Sequence, residues 1–240
     1  MNEILLDARQ VEKQFGGIRA LASVDVQQAV GETLGMIGPN GSGKTTFVNV
    51  VSGHLSIDAG SISFAGAPIS GRRPHAITRA GLTRTYQAVR VFSKLTVADN
   101  LRTTALAAGR EEGVKDSHVR ELIHWLELDR RLDAIAGMLT LFEQRRLELA
   151  MRLALRPKLV MLDEPVGGLS AVEITHMMKL LGELKTRYSL FVIEHTMRVI
   201  RELADRVVVL VSGQKIADGR PEEILRDERV VRNYLGSQGA

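Results

Sequence analysis

The sequence predicts an α/β fold: a mostly parallel, helix-covered sheet with an N-terminal antiparallel β region and an inserted α-helical subdomain. Strand patterns fill the first thirty residues, and strand and helix patterns alternate before about residue 90 and again after Pro157. Between about residues 95 and 155, apolar residues recur at helical spacing without a strand pattern. Alternation on either side of a helical insertion is typical of a parallel sheet covered by helices.

The N-terminal part predicts mainly strands. The segments ILLDARQVEKQF and LASVDVQQAV alternate loosely, and ETLGMIG is an apolar strand that ends at Gly38. A helix follows, with its apolar residues on one side and Gly53 at its end. A hairpin-like strand region over residues 60–69, a short helix near RRPHAITRA and a strand at LTRTYQ come next.

The remaining segments predict helices first and then renewed alternation. VADNLRTTAL, HVRELIHWLEL and QRRLELAMRLAL have helical spacing. After Pro157, the pattern predicts a strand in KLVMLDEP, a helix over 172–186, a strand in SLFVIEH and a helix over 196–204. Strands in RVVVLVSGQKIADG and short helices complete the chain.

The length allows one large domain or a core with an inserted lobe. The chain has 240 residues, of which 45% are hydrophobic, and this is enough to bury a large core. We divide it into a core with an N-terminal β subdomain, residues 1–88 and 157–240, and a helical subdomain, residues 89–156.

The composition limits the location and the kinds of site. The sequence has no cysteine, so a bound metal would need oxygen or imidazole ligands. The apolar runs fall far short of the ~20 residues of a spanning helix, and the N-terminus lacks a signal pattern, so we expect a soluble, cytosolic chain. The net charge of +4 comes from basic residues with acidic ones between them, which indicates a mixed solvated surface.

A phosphate-binding loop follows the strand that ends at Gly38. The segment from Gly38 to Thr45 has a glycine, four residues, then Gly-Lys-Thr. Glycines let backbone N–H groups approach a phosphate, Lys44 should reach the outer phosphates, and the Thr45 hydroxyl should reach magnesium. The alternative, a simple glycine turn, is disfavoured by the strand before it and the helix after it. The predicted nucleotide-binding residues of the loop are Asn40, Gly41, Ser42, Gly43, Lys44, Thr45 and Thr46.

An adjacent pair of carboxylates follows a second apolar strand. LVMLDEP delivers Asp163 and Glu164 at the carboxyl end of a strand, where ligands bind in open parallel sheets. One carboxylate can hold magnesium through water while the other orients or deprotonates the attacking water. An acid pair alone usually only solvates a loop, but here it accompanies a phosphate-binding loop.

Together with IEH, which ends the next strand at His195, these motifs resemble the nucleotide-binding subunit of ATP-binding cassette (ABC) transporters over essentially the whole chain. The resemblance implies a RecA-like P-loop NTPase core that binds ATP and Mg²⁺. It implies that Asp163 supports magnesium, that Glu164 is the catalytic base, and that His195 contacts the terminal phosphate, with Lys44 also catalytic. Without the other motifs, His195 would be read as a structural residue at a strand end.

The same resemblance assigns three residues outside these motifs. Gln87, in RTYQAVRVF, matches the glutamine that reaches magnesium and lies beside the membrane subunits. Phe15, in KQFGGIRAL, matches the aromatic residue that stacks on adenine, and ordinary packing is the alternative for it. Ser170, in GGLSAVE, matches the polar member of the loop that crosses to the opposing subunit.

The family signature, usually Leu-Ser-Gly-Gly-Gln, is degenerate in this chain at residues 139–144. Alignment on QRRLELA places LTLFE over it. Thr140 keeps a hydroxyl, but Phe142 replaces the second glycine and obstructs a close approach to phosphate, and Glu143 replaces the glutamine with an anion. The alternative is a helix cap, because Thr140 and Glu143 have capping-box spacing. Both interpretations stay open at the level of sequence.

Short segments resemble one subgroup of the family. FGGIRAL, QRRLELA, IEHTMRVI and VVRNYLG are similar to subunits of branched-chain amino acid importers and their relatives for urea, amides and other small polar solutes. Such importers combine permeases, two cassettes and an extracytoplasmic solute-binding protein. The resemblance implies an ATPase peripheral to the cytoplasmic face of the inner membrane, with transmembrane permease subunits and a second cassette, a different chain or another copy, as partners.

Two other functions compete with this interpretation. ABC ATPases in DNA repair or on ribosomes would require tandem cassettes, zinc cysteines or long coiled-coil arms, and this sequence has none, so no nucleic-acid partner is expected. A regulatory cassette that binds ATP with weak or no hydrolysis is the alternative that the degenerate signature suggests. Phosphate release by the assembled complex distinguishes the regulatory cassette from the ATPase.

Overall fold

The computed structural model of the protein describes residues 3–107, 109, 114 and 116–232. Its strands are β1 (Ile4–Phe15), β2 (Ile18–Ala29), β3 (Thr33–Ile37), β4 (Ala59–Phe64), β5 (Ala67–Pro68), β6 (Leu82–Arg84), β7 (Leu159–Asp163), β8 (Ser189–Ile193), β9 (Arg206–Val211) and β10 (Gln214–Gly219). Its α-helices are α1 (Lys44–Val51), α2 (Pro74–Ala80), α3 (Val97–Ala107), α4 (Ser117–Trp125), α5 (Leu141–Leu153), α6 (Ala171–Leu184), α7 (Met197–Leu203), α8 (Pro221–Ile224) and α9 (Glu228–Val230). The predicted α/β fold class is confirmed.

The N-terminal strands form an antiparallel sheet. Within the described residues it has four strands in the order β2-β1-β4-β5. The β1–β2 hairpin runs to the pair Phe15 and Ile18, so β2 begins three residues before the predicted strand. Register shifts interrupt the β1–β2 pairing, which explains why the sequence alternates only loosely there.

The second sheet is mostly parallel. Over the part of the chain that the structure describes, it has six strands in the order β10-β9-β3-β8-β7-β6, and only β10 runs antiparallel to its neighbour. Strands β3, β7 and β8 are buried along their whole length, which accounts for their mainly apolar sequences without polar alternation. Their carboxyl ends therefore bring the phosphate-binding loop, the acid pair and the IEH segment to one edge of the sheet.

Helices occupy the chain between β6 and β7, as predicted. Apart from an isolated bridge between Thr96 and Ile135, the described residues from 95 to 155 contain no strand pairing. Two short 3-10 helices, Asp129–Arg131 and Ala136–Met138, were not predicted. The strand predicted at LTRTYQ ends at Arg84, because the chain leaves the sheet there and leads toward α3.

The parallel sheet separates two hydrophobic cores. Along β7, Val160 and Leu162 face a core shared with the helices between β6 and β7 and with α6 and α7. Met161 faces the other core, which contains α1 and the antiparallel sheet. In that core the ring of Phe47 on α1 stacks on Phe191 of β8, with centroids 5.8 Å apart. This packing fixes the helix that begins at the phosphate-binding loop against the middle of the sheet.

Of the segment VVRNYLG, residues 233–236 lie outside the described residues. Within the described ranges, none of the helices combines the length and the apolar character that crossing a bilayer requires.

Candidate active site

The loop between β3 and α1 depends on glycine at two positions. A Cβ atom at Gly38 would lie 2.0 Å from the carbonyl oxygen of Leu210, and one at Gly43 would lie 2.4 Å from the carbonyl oxygen of Ala20. The φ angle of Gly43 is +104°, a conformation that L side chains rarely adopt. The loop conformation therefore requires both glycines.

Backbone donors at the start of α1 face an open cavity. Among the described residues, the structure gives no hydrogen-bond partner to the backbone N–H groups of Gly43, Lys44, Thr45 and Thr46. A cavity of about 480 Å³ lies against this turn. The first N–H groups of a helix have no partner within the helix and carry the positive end of its dipole. The cavity is therefore suited to bind phosphate groups.

The ammonium group of Lys44 lies folded into the loop. Its Nζ donates to the carbonyl oxygen of Gly38 at 2.7 Å and to that of Pro39 at 3.0 Å. Burial lowers the pKa of Lys44, while the charges of Glu164 and Asp163 act in the opposite direction. This partly desolvated cation belongs to a residue that lines the cavity, and it is placed to receive a phosphate.

The structure pairs Asp163 with an arginine that the sequence analysis did not single out. Asp163 ends β7, and its Oδ2 accepts a hydrogen bond from the Arg84 guanidinium at 3.0 Å. Both side chains are buried. Burial raises the pKa of Asp163, and the nearby Arg84 charge opposes this shift. The parallel pairing of β6 with β7 makes these two residues neighbours.

Glu164 lies close to two other predicted site residues, Gln87 and His195. Its Oε2 accepts a hydrogen bond from Gln87 Nε2 at 2.9 Å, and its Oε1 is 3.8 Å from Nδ1 of His195. Its φ angle of +49° is uncommon for a residue other than glycine, and such conformations cluster at functional sites. The half-buried carboxylate therefore has a fixed orientation between Gln87 and His195.

The buried carboxylate of Glu194 lies next to Glu164 and His195. Glu194, fully buried, accepts from the backbone N–H of Val166 at 3.3 Å and from that of Thr196 at 3.4 Å. Burial raises its pKa. Sequence reasoning used the segment IEH only for His195 and missed Glu194, because a glutamate beside a histidine gives no signal that it is buried.

The cavity brings together some of the predicted residues but not all. It is lined by residues 40–46, Gln87 and Glu164, together with Ile18, Arg19, Ala20, Ile193 and Ser212. Phe15 does not line it, although the Phe15 ring is exposed and its strand partner Ile18 does. Asp163 and His195 also lie outside the lining: Asp163 precedes the lining residue Glu164 in the chain, and His195 Nδ1 is 3.8 Å from Glu164 Oε1. No motif in the sequence indicated that Ile18, Arg19 or Ser212 would line the cavity.

The side chains present fit a magnesium ion bound together with phosphate. The Thr45 side chain is exposed at the start of α1, and Oδ1 of Asp163 accepts no hydrogen bond from the described residues. Among residues 3–107, 109, 114 and 116–232, no group of three or more His, Asp and Glu side chains converges on one point. Mg²⁺ commonly keeps water and phosphate ligands and takes only one or two carboxylates, so this sparse donor set fits it.

The segment over the family signature forms a helix cap. Thr140 Oγ1 accepts from the N–H of Glu143 at 3.2 Å, and the Glu143 carboxylate accepts from the N–H of Thr140 at 2.9 Å. Glu143 also accepts from Arg131 at 2.7 Å, so the anion expected here is paired. Both halves of the capping box that the sequence offered as an alternative are therefore present.

The ring of Phe142 is turned into the protein. Its side chain is buried, its centroid lies 5.3 Å from that of His176, and the Arg146 guanidinium lies 4.6 Å from it. The ring is therefore not the exposed part of this segment, and the obstruction of a close phosphate approach at this position stays a prediction. Leu141, 40% exposed, is the bulky side chain at this surface, and it lies against Gly168.

Replacing Phe142 with alanine should destabilise the protein by ~3 kcal/mol or more, because it leaves a cavity in the helical core. Denaturant unfolding of the purified chain measures this loss. The matched control is Leu141→Ala, which removes an exposed side chain and should cost less than ~1 kcal/mol. Equal effects of the two substitutions would contradict the buried position of Phe142.

Ser170 is the N-cap of α6. Its backbone N–H donates to the Glu173 carboxylate at 2.9 Å, and its hydroxyl donates to the same carboxylate at 2.7 Å. Ser170, which was predicted to lie in the loop that crosses to a second subunit, is exposed and lies six residues after Glu164.

Comparison with protein families now adds an independent finding. The chain matches the ABC transporter family over residues 21–167. Residues 214–240 match a second family described as branched-chain amino acid ATP-binding cassette transporter.

Individual relatives extend over nearly the whole chain. The high-affinity branched-chain amino acid transport ATP-binding protein BraF of Pseudomonas aeruginosa is 34% identical and covers 98% of this chain and 99% of its own length. A probable branched-chain amino acid transport ATP-binding protein, LivG of Archaeoglobus fulgidus, is also 34% identical and covers 98% of this chain and 96% of its own length. The lipopolysaccharide export ATP-binding protein LptB of Escherichia coli is 31% identical, with 96% and 97% coverage. The relatives therefore include subunits of both amino-acid and export systems.

Solved structures share the same architecture. The ADP conformation of MJ1267, an ATP-binding cassette of an ABC transporter, superposes with a TM-score of 0.87 at 28% identity and covers 98% of this chain and 100% of that one. A second structure of the same cassette has a TM-score of 0.88 at 28% identity, with 97% and 99% coverage. The chain therefore belongs to the ABC transporter family, as an ATP-binding subunit with an ATPase activity that is coupled to transport.

Proposed function

We propose that the protein is the ATP-hydrolysing subunit of an importer for a small polar solute of the branched-chain amino acid, urea or amide type. The relatives named for branched-chain amino acid transport and the match at residues 214–240 support the solute class. The observation that carries the catalytic part is one cavity lined by the phosphate-binding loop, Gln87 and Glu164.

The proposed chemistry depends mainly on positioning and on neutralising charge. Magnesium, when bound, neutralises charge on the phosphate oxygens. The loop N–H groups and Lys44 would hold the phosphates, and Thr45, Asp163 and Gln87 would hold the metal. Glu164 would accept a proton from the attacking water, since it is held by Gln87 at 2.9 Å and lies 3.8 Å from His195. His195 would contact the terminal phosphate from the same side.

We place the adenine at the tip of the β1–β2 hairpin. Phe15 and Ile18 are 45% and 74% exposed, and a ring face and an aliphatic side chain together suit a flat base. The Lys13 ammonium lies 5.5 Å from the centroid of the Phe15 ring. Ile18 also lines the phosphate cavity, so this proposed base site is continuous with the phosphate site.

A second open cavity is proposed as the surface that receives the permease. It has a volume of about 910 Å³ and lies between α2, the loop after Gln87 and the helices α3 and α5. Its charged lining residues are Arg79, Arg90 and Arg152, with Phe92 and Met151 among the apolar ones, and none of the described residues that line it is acidic. A short apolar segment with an acidic residue would complement this groove.

Replacing Arg90 with glutamate should abolish co-purification with the permease subunits. The new carboxylate would meet the acidic residue proposed for the permease segment, and like charges at an interface cost several kcal/mol. Detergent extraction from the native membrane followed by affinity capture of the tagged chain measures this. Arg102→Glu is the matched control, since Arg102 is exposed on α3 outside the lining. Normal permease recovery with Arg90→Glu would contradict the docking surface.

The remaining partners follow from this assignment. The chain would sit peripherally on the cytoplasmic face of the inner membrane and pair with a second cassette, a different chain or another copy. An extracytoplasmic solute-binding protein would act through the permeases. We propose that residues 89–156 form the subdomain that moves relative to residues 1–88 and 157–240 when ATP closes the pair.

The second candidate function is an ATP-binding regulatory cassette with weak or no hydrolysis. The observation that favours it is the capping box at Thr140 and Glu143, which engages the polar groups of the signature within α5. The site completed by this segment on a partner would then turn over slowly. In a mixed pair, the site with Lys44 and Glu164 would still hydrolyse ATP if the partner had an intact signature. Phosphate release by the assembled complex separates the two candidates.

A further inference from the structure

The carboxylate of Asp163 has a single hydrogen-bond partner within the described residues. Its Oδ2 accepts from the Arg84 guanidinium at 3.0 Å, and its Oδ1 accepts no hydrogen bond from those residues. Both side chains are almost fully buried, at 9% and 6% exposed. The ion pair is therefore shielded from water, and it fixes one carboxylate oxygen while it leaves the other available.

A second nitrogen of the guanidinium is tied to the end of α1. Its NH1 donates to Asn49 Oδ1 at 2.7 Å and to Ser52 Oγ at 3.1 Å. Asn49 lies in the last turn of α1, and Ser52 follows the helix directly. Arg84 thus joins the helix that starts at the phosphate-binding loop to the strand that carries Asp163.

The flat face of Arg84 is also fixed. The Arg84 guanidinium lies 4.6 Å from the centroid of the Tyr86 ring, and the Tyr86 hydroxyl is 3.1 Å from Nε2 of His54. His54 Nδ1 is in turn 3.0 Å from Ser52 Oγ. These contacts close a ring of interactions around Arg84, so its planar fork has little freedom to reorient.

We propose that Arg84 is a positioning residue that orients Asp163 for magnesium. By binding Oδ2 it would hold the carboxylate so that Oδ1 stays available to a magnesium ion. This inference rests on the proposed function, in which Asp163 supports magnesium. Groups that orient a metal-binding side chain typically contribute 10–100-fold to metal affinity.

The charge of Arg84 alone is insufficient for this role. A lysine would keep the charge but could not bond Asp163, Asn49 and Ser52 at once, because an ammonium lacks the rigid planar fork. Arg84→Lys should therefore raise the Mg²⁺ concentration for half-maximal binding of a fluorescent ATP analogue by about tenfold. Its affinity for the same analogue in EDTA should change less than about twofold, because the loop and Lys44 are untouched.

The experiment titrates Mg²⁺ into the purified full-length chain at a fixed analogue concentration and repeats the binding in EDTA. Arg102→Lys makes the same chemical change on the exposed face of α3 and should match the wild type. If Arg84→Lys matches the wild type in Mg²⁺ dependence, Arg84 is not a positioning residue. If binding with and without Mg²⁺ falls equally, its role is merely structural, and the inference is also overturned.

Asn49→Ala provides a second variant that keeps the buried ion pair. It removes one partner of the Arg84 fork and leaves Ser52 and Asp163 in place, so it should raise the half-saturating Mg²⁺ concentration by about threefold. If Asn49→Ala leaves the Mg²⁺ dependence unchanged, this counts against the proposal that the Arg84 guanidinium is held in a fixed orientation. The conclusion holds even if Arg84→Lys fails to fold. A wild-type chain that binds no analogue under any condition would instead refute the proposed function.

Discussion

Replacing Glu164 with glutamine should lower ATP hydrolysis by ~10²- to 10⁴-fold, the usual contribution of a general base. Glutamine keeps the size of the side chain and can still accept a hydrogen bond from Gln87, but it cannot take a proton from water. ATP binding should therefore persist while phosphate release stops. Phosphate release and nucleotide binding, measured on the same preparation of the assembled complex, give the two values.

Glu202→Gln is the control for this substitution. Glu202 lies on α7 and forms an exposed ion pair with Arg198 at 2.8 Å, a kind of contact that contributes little to stability. Hydrolysis by this variant should stay within about twofold of the wild type. Loss of hydrolysis of less than tenfold with Glu164→Gln would show that Glu164 is not the base.

Replacing Lys44 with alanine should weaken ATP binding by ~10- to 100-fold, because a charge-assisted hydrogen bond to phosphate is lost. The ammonium now bonds the carbonyl oxygens of Gly38 and Pro39 inside the loop, so its removal also loosens the cradle. A titration with a fluorescent ATP analogue measures the affinity.

Lys185→Ala is the matched control for the Lys44 substitution. Lys185 lies just after α6 and bonds Asp205 and the carbonyl oxygen of Leu203, away from the lining of the cavity. The Lys185→Ala variant should bind the ATP analogue with the affinity of the wild type. Unchanged affinity with Lys44→Ala would mean that the loop does not hold the phosphates.

The parts of the site that lie within one continuous motif were predictable from sequence. The loop from Gly38 to Thr45 and the acid pair after β7 each combine a buried apolar strand with residues whose spacing has a chemical reason. Parallel pairing then implies that strand ends meet at one edge of the sheet. For this reason, local patterns were enough to predict the fold class and to predict that the loop and Glu164 lie close together.

Contacts between distant segments were not predictable in the same way. Arg84 is one arginine in a short strand, and only the pairing of β6 with β7 brings it to Asp163. Ile18 and Ser212 line the cavity because a hairpin tip and a turn after β9 approach the loop. These approaches depend on how sheets and helices pack, and no spacing in the sequence encodes them.

The signature segment illustrates a limit of alignment. Matching LTLFE to the family pattern places Phe142 where the family meets phosphate on a second subunit, and the structure adds that its ring lies in the core beside His176. The capping box, which depends only on Thr140 and Glu143 three residues apart, was correct because it is a local interaction. The local backbone rule can be checked within one chain, whereas the positional correspondence concerns a contact with a second subunit and stays a prediction.

The central claim is that this chain turns ATP hydrolysis into movement of a permease. The most direct test is phosphate release by the complete complex in lipid vesicles, with its permeases, second cassette and solute-binding protein, measured with and without solute. We expect Mg²⁺-dependent hydrolysis that rises when the solute is added and disappears with Glu164→Gln. Bound ATP with no phosphate release from the complete wild-type complex would contradict the account and favour a regulatory cassette.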